Sequence, residues 1–240
     1  MKIYYAGIVG LTEEERNEAL ALLPQVRIDK IEKSKSEKNQ MESITAGLLL
    51  EYALQERGIS GKDLTFLKNE EGKPYLKEYP EICYNLSHSG DYVALAVDEQ
   101  PVGIDIEKPR KDKQKLVRRF FSEEEAKALE EQWSDALFTK LWTRKESFIK
   151  AVGLGMRMPL EGFSTLGEQV KINEKMPAEM MQPDEMYYLA SFPLKDGYWL
   201  SVCGRNQAIE AVSAEAAIAE AAGDDGGPVE VDLKRIMKRV

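Results

Sequence analysis

Three strand-length segments crowd residues 82–107, and they constrain the fold more than any other part of the chain. Ile82 to Leu86, Tyr92 to Val97 and Pro101 to Glu107 are rich in aliphatic, aromatic and β-branched residues and are bounded by turn formers. Ser89-Gly90-Asp91 turns the first pair and Asp98-Glu99-Gln100 the second. Connections this short favour neighbouring antiparallel strands, so the expectation is a β-meander. The first and third strands of a meander run the same way, which brings Asp105 and Glu107 to the end of the sheet that carries His88. Within G-I-D-I-E (Gly103 to Glu107), alternation sends Ile104 and Ile106 to one face and Asp105 and Glu107 to the other.

The second constraint is W-T-R-K-E-S-F-I-K-A-V-G-L-G, a helix stopped at Gly153 and Gly155. Trp142, Glu146 and Lys150 fall four residues apart on one helical face. A carboxylate beside an ammonium there suits a metal-bound phosphate ester better than a core. Asp105, Glu107 and Glu146 would supply three hard oxygen ligands. With no cysteine or histidine cluster, that set points to magnesium, with manganese as a substitute, held by carboxylates, waters and substrate phosphates. Each residue alone also fits a plainer role. Most Asp and Glu are solvated surface groups, and Lys150 could be an i,i+4 partner of Glu146 worth ~0.3–0.5 kcal/mol. Lys145 reads equally as a phosphate contact or a structural ion pair. His88 is the single histidine, which argues against a histidine-based triad or a zinc site.

Elsewhere, Thr12 with Glu15 forms a capping box for a helix that runs to Leu23 and stops at Pro24. A second helix is expected from Ser36 through Gln55, with Ile44, Leu48 and Tyr52 at helical spacing. Residues 63–80 read as loop and short strand. Ser122 caps a helix with Glu123, Glu124 and Glu125 in its first turn, and strands are expected at 163–172, 186–192 and 198–203. After Gly204 the character changes. Residues 205–240 are a low-complexity tail: Ala208 to Ala222 is rich in alanine and glutamate, 223–228 is a breaker, and Leu233 to Val240 is short, basic and amphipathic. The tail is expected to be a dispensable appendage.

A formal charge of -9 argues against a general nucleic-acid binder, although Arg27, Lys30, Lys33, Lys35 and Lys38 cluster locally. No apolar run approaches the ~20 residues that span a bilayer, and the N-terminus reads as a first strand instead of an export signal. Cys83 and Cys203 are expected as reduced thiols, consistent with the cytoplasm.

Five motifs, taken in order, resemble the Sfp-type 4'-phosphopantetheinyl transferases: G-K-P (Gly72 to Pro74), N-L-S-H-S (Asn85 to Ser89), G-I-D-I-E, F-F-S-E-E-E (Phe120 to Glu125) and W-T-R-K-E-S-F-I-K. The resemblance implies an α+β fold of two similar α/β halves. Residues 1–102 would carry the coenzyme A elements and 103–204 the metal and catalytic motifs, with the active site between them. It implies transfer of the phosphopantetheine arm of coenzyme A to a serine of an apo acyl or peptidyl carrier protein, releasing 3',5'-ADP, by a monomer that uses magnesium. Asp105, Glu107 and Glu146 would be the metal ligands, Glu146 also the proton acceptor, and Lys150 the group that meets the departing phosphate. Ser87, His88 and Lys145 would contact phosphates, Lys73 and Pro74 the adenine side, and Arg27 and Lys30 the 3'-phosphate. Glu125 would lie near the metal, and Trp142 would pack beneath the site. One departure stands out: Glu42 precedes Ser43 where the family often carries an arginine. The rival readings are another magnesium-dependent phosphotransferase or hydrolase, and a non-catalytic coenzyme A-binding protein.

Overall fold

A computed structural model of the chain describes residues 1–109, 111, 113–181, 184–206 and 227–237. The first half comprises β1 (Lys2–Gly7), α1 (Glu13–Ala21), α2 (Gln25–Lys33), α3 (Glu37–Gln55), β2 (Phe66–Lys68), β3 (Pro74–Leu76), β4 (Cys83–Ser89) and β5 (Tyr92–Asp98). The second comprises β6 (Val102–Glu107), α4 (Gln114–Phe120), α5 (Glu123–Glu131), α6 (Asp135–Val152), β7 (Phe163–Ser164), β8 (Lys171–Ile172), β9 (Tyr188–Pro193) and β10 (Trp199–Gly204). β11 (Val229–Glu230) and α7 (Leu233–Met237) follow. Local chemistry sets the boundaries. Thr12 and Ser122 close capping boxes with Glu15 and Glu125, Ser36 and Ser134 cap α3 and α6, and Gly153 ends α6 at φ 84°. Pro24 ends the first helical run but opens α2, a helix the sequence did not announce.

The strands form two main sheets of the same design. β1-β5-β4 pair antiparallel in that order, and β6-β10-β9 repeat it. Each half places its helices after the first strand and adds a two-stranded hairpin, β2–β3 in one and β7–β8 in the other. The duplication is therefore plain in the topology, although the sequence carries no repeat. The segment expected as one strand over 163–172 is this β7–β8 hairpin.

The meander requires a correction. β6 leaves the first sheet and pairs with β10 from Glu107↔Trp199 to Val102↔Gly204. The reason is what must be buried. Stacking the sheets packs Ile104, Ile106, Leu200 and Val202 against Ala94 and Ala96, cover that a meander alone would not give. The outer face of the first sheet packs Tyr4, Leu95 and Val97 on Ile44 and Leu48 of α3. That of the second packs Leu189 and Cys203 on Phe148 and Ala151 of α6. Cys83 and Cys203 are both free thiols.

The tail is the second correction. Its described part is no appendage: β11 pairs parallel with β1 at Tyr4 and Tyr5, and the Val231 N–H donates to the Tyr5 carbonyl at 2.8 Å. Val231 and Leu233 join the core of α3 and β1, and Lys234 pairs with Glu15 at 2.8 Å. The cause is non-local, since β1 would otherwise present an open edge. The alanine-rich stretch 208–222 and residues 238–240 lie outside the described residues. Leu233 is 2% exposed, so Leu233→Ala should cost about 2–4 kcal/mol, the scale of a large-to-small core change. Denaturant unfolding checks this; an appendage would give a change within about 0.5 kcal/mol.

Candidate active site

The site forms where the edge strands of the two sheets, β4 and β6, lie side by side. β4 alternates. Tyr84 and Leu86 face the α3 core, while Asn85, Ser87 and Ser89 face β6. Asn85 Oδ1 accepts the Ile104 N–H at 2.9 Å. Ser87 Oγ donates to Asp105 Oδ1 at 2.8 Å, and Ser89 Oγ donates to Glu107 Oε2 at 2.6 Å. Side chains, every second one polar, thus tie the first half to the second.

Gly103 brings α6 onto this seam. A Cβ there would lie 2.0 Å from the Ser147 carbonyl oxygen and 2.4 Å from the Ala151 nitrogen, so helix backbone rests directly on the strand. From Leu141 to Lys150 every residue is buried except Trp142, Glu146 and Lys150, the stripe expected from their spacing. The Lys150 ammonium donates to Asp105 Oδ1 at 2.7 Å, Ser87 Oγ at 3.1 Å and the Ile104 carbonyl at 3.2 Å.

The electrostatics follow from burial. Burial pushes the Asp105 carboxyl above its ordinary range, opposed by Lys150 and the Ser87 hydroxyl. Glu146 is also raised, by burial first and then by the charges of Asp105 and Glu107, with Lys150 opposing. The three carboxylates therefore feel one another. Among the described residues no three metal-binding side chains already stand at coordinating distance. Their chemistry nonetheless fits a divalent cation. All are hard oxygen donors, their mutual repulsion is what a cation relieves, and Asp105 Oδ2 is buried without a hydrogen-bond partner.

Two cavities flank the stripe. One of about 320 Å³ is walled by Lys73, Pro74, Glu146, Lys150, Met156 and Leu160. The other, about 210 Å³, lies past Glu107 and is lined by Lys113, Leu116, Phe138 and Trp142. Trp142, expected to pack beneath the site, lies against the Val117, Phe121 and Phe138 cluster, stacked on Phe138 with ring centroids 6.1 Å apart, and also walls the smaller pocket.

Other expected residues are placed differently. Lys145 is no phosphate contact. Its ammonium is fully buried against Glu125 Oε2 at 2.7 Å and donates to the Leu160 and Phe163 carbonyls. Its charged form is disfavoured by burial and restored in part by Glu125. Glu125 also accepts from the Thr165 N–H and hydroxyl, so its carboxylate is held by Lys145, Ser122 and Thr165. Lys73 borders the larger cavity, but its ammonium is turned inward onto backbone carbonyls. His88 lies on the far face of β4 from Ser87, with Nδ1 3.4 Å from Glu42 Oε2. Alternation forbids it the face of the acids. Arg27 and Lys30 form a separate basic patch with Lys68, a residue the sequence did not single out. Lys30 is depressed by burial and then by Arg27 and Lys68, and Arg27 by burial, with Tyr84 opposing. Asn85, Ser89 and Gly103 were also missed as site builders, although the period-two polar pattern of β4 could have found the first two. Gly103→Ala must push α6 off β6. Turnover should fall by about 10²-fold, the effect of a misplacement near 1 Å, in a protein that still folds; steady-state kinetics with circular dichroism checks both.

Comparison with known proteins agrees with this geometry. The profile of the 4'-phosphopantetheinyl transferase superfamily matches residues 101–203, and that of the 4'-phosphopantetheinyl transferase N-terminal region matches 11–100. The 4'-phosphopantetheinyl transferase Sfp of Bacillus subtilis is 31% identical over 214 residues, covering 85% of this chain and 92% of its own. The 4'-phosphopantetheinyl transferase gsp of Aneurinibacillus migulanus is 36% identical over 166 residues, 65% of each. A solved holo-[acyl-carrier-protein] synthase (AcpS) of Thermotoga maritima overlaps 43% of this chain and 61% of its own at 16% identity with a TM-score of 0.34, a likeness too partial to carry weight. The chain belongs to the 4'-phosphopantetheinyl transferase superfamily.

Proposed function

We propose that this protein transfers the 4'-phosphopantetheine arm of coenzyme A to a serine of an apo acyl or peptidyl carrier protein, releasing 3',5'-ADP. One observation carries the reading: Glu146 and Lys150 form the open stripe of α6, against Asp105 and Ser87, between two cavities. Asp105, Glu107 and Glu146 would hold magnesium or manganese. When bound, the cation would neutralise and orient the two phosphates of the coenzyme.

The protein groups then have separate tasks. Glu146 would accept the proton of the carrier serine, directly or through water, because it stands on the open face of α6 within the field of Asp105 and Glu107. Lys150 sits at the inner end of the stripe, where its ammonium would offset charge on the departing phosphate, and Ser87 holds that ammonium in place. The Lys73–Pro74 loop walls the cavity for the adenosine side. Arg27, Lys30 and Lys68 are the groups we assign to the 3'-phosphate, with His88, on the Tyr84 face of β4 beside Glu42, as a further contact. The smaller pocket, apolar through Leu116, Phe138 and Trp142, suits the uncharged pantetheine arm. No helix of the described residues is long and apolar enough to cross a membrane. A monomer in the cytoplasm is the form we infer, since the seam draws every named group from one chain and both thiols are free.

The test is incubation with coenzyme A, magnesium and a panel of apo carriers, followed by intact mass. One carrier should gain the mass of a single phosphopantetheine arm. Coenzyme A binding without modification of any carrier contradicts the reading. Asp105→Ala should abolish turnover, and wild-type activity should vanish with a chelator and return with magnesium or manganese; full activity in excess chelator rules out the carboxylate site. Glu146→Gln should lower kcat by about 10²-fold, the scale of a lost general base, and near-normal kcat would move that role elsewhere.

A further inference from the structure

We infer that Lys73 is a positioning residue of this reaction, one that fixes the last turn of α6, and with it Lys150, to the start of β6. The inference rests on the transferase reading above and assigns Lys73 a task other than meeting the coenzyme. Lys73 Nζ donates to the carbonyls of Lys150 at 2.7 Å, Ala151 at 3.0 Å and Val102 at 3.1 Å. An ammonium has three N–H donors, and all three go to backbone carbonyls.

The acceptors explain why a cation is needed there. The last carbonyls of a helix have no partner within it. At the end of α6, the Gly153 N–H takes the Ile149 carbonyl, and Lys73 takes the next two. Its charge also complements the negative end of an 18-residue helix. The third acceptor, Val102, directly precedes Gly103, where α6 presses on β6. Lys73 thus secures the joint that sets the distance between Lys150 and Asp105.

The lysine is itself held from behind. Its N–H donates to Asn69 Oδ1 at 2.7 Å, and the Asn69 N–H returns to its carbonyl at 3.0 Å. Gly72 in between adopts φ 86°, a conformation open to glycine. The stem lies against the end of α6, since a Cβ on Gly153 would be 3.3 Å from Lys73 Cδ. A tight loop on one wall of the cavity is therefore braced against the helix that carries the opposite wall.

The experiment compares wild type, Lys73→Met, Lys150→Met and the double variant, with coenzyme A, magnesium and an apo carrier that the wild type modifies. Lys73→Met should lower kcat by roughly tenfold to a hundredfold and leave the coenzyme A KM nearly unchanged. In the Lys150→Met background it should cost little more, because it acts through Lys150. Independent losses in the double variant, or a loss expressed mainly in the coenzyme A KM, would overturn the inference. A second readout does not need activity. Hydrogen exchange at 149–154 should quicken in Lys73→Met while the β1-β5-β4 sheet stays protected; unchanged exchange at 149–154 also overturns it. Should Lys73→Met not fold, Lys73→Gln, which keeps two N–H donors, takes its place in both comparisons. Failure of the wild type to modify any carrier would count against the transferase reading, while the exchange comparison would still decide the role of Lys73.

Discussion

The closeness of α6 to β6 at Gly103 is the constraint on which the site depends. With no side chain at that position, the helix backbone meets the strand directly. That brings the Lys150 ammonium to 2.7 Å from Asp105, leaves Glu146 on the open face and lets one lysine from the first half reach carbonyls of both elements. A side chain at 103 would separate the ion pair and expose a carboxylate that is 5% exposed. Such a carboxylate is tolerable only because a cation and a hydroxyl stand against it, which makes the geometry and the charge arrangement a single condition.

The other side of α6 explains why the stripe stays turned outward. Arg144 donates to the Thr165 carbonyl at 2.7 Å, to the Gly167 carbonyl and to Ser191 Oγ. Lys145 and Glu125 are both wholly buried, and every donor and acceptor of the pair has a partner. A buried ion pair of this kind adds little net stability over an apolar substitute. Loss of one partner, however, leaves a stranded charge at a cost of about 3–5 kcal/mol. The pair therefore specifies orientation. It permits one rotation of α6, and that rotation presents Trp142, Glu146 and Lys150 to the cavities.

What the sequence disclosed divides along physical lines. Features set by local periodicity were legible: the alternation of Gly103 to Glu107, the four-residue spacing on α6, and the caps at Thr12 and Ser122. Features set by distant partners were not. β6 crosses to the second sheet because Ile104 and Ile106 need a facing sheet, and the C-terminal segment returns because β1 needs an edge neighbour. Lys145 and Lys150 share one helix, and spacing alone does not tell which of the two meets a buried carboxylate from another helix. His88 is the instructive case. Period two already places it opposite Ser87, so its absence from the acid face was readable; the meander argument fixed the end of the sheet and left the face out.

The measurement that bears most directly on the seam as the catalytic centre is anomalous diffraction from crystals grown with manganese and coenzyme A. The predicted result is a manganese peak bounded by Asp105, Glu107 and Glu146, with the coenzyme's two phosphates beside it. Coenzyme A bound with its phosphates away from these carboxylates, or manganese held elsewhere in the same crystals, would contradict it.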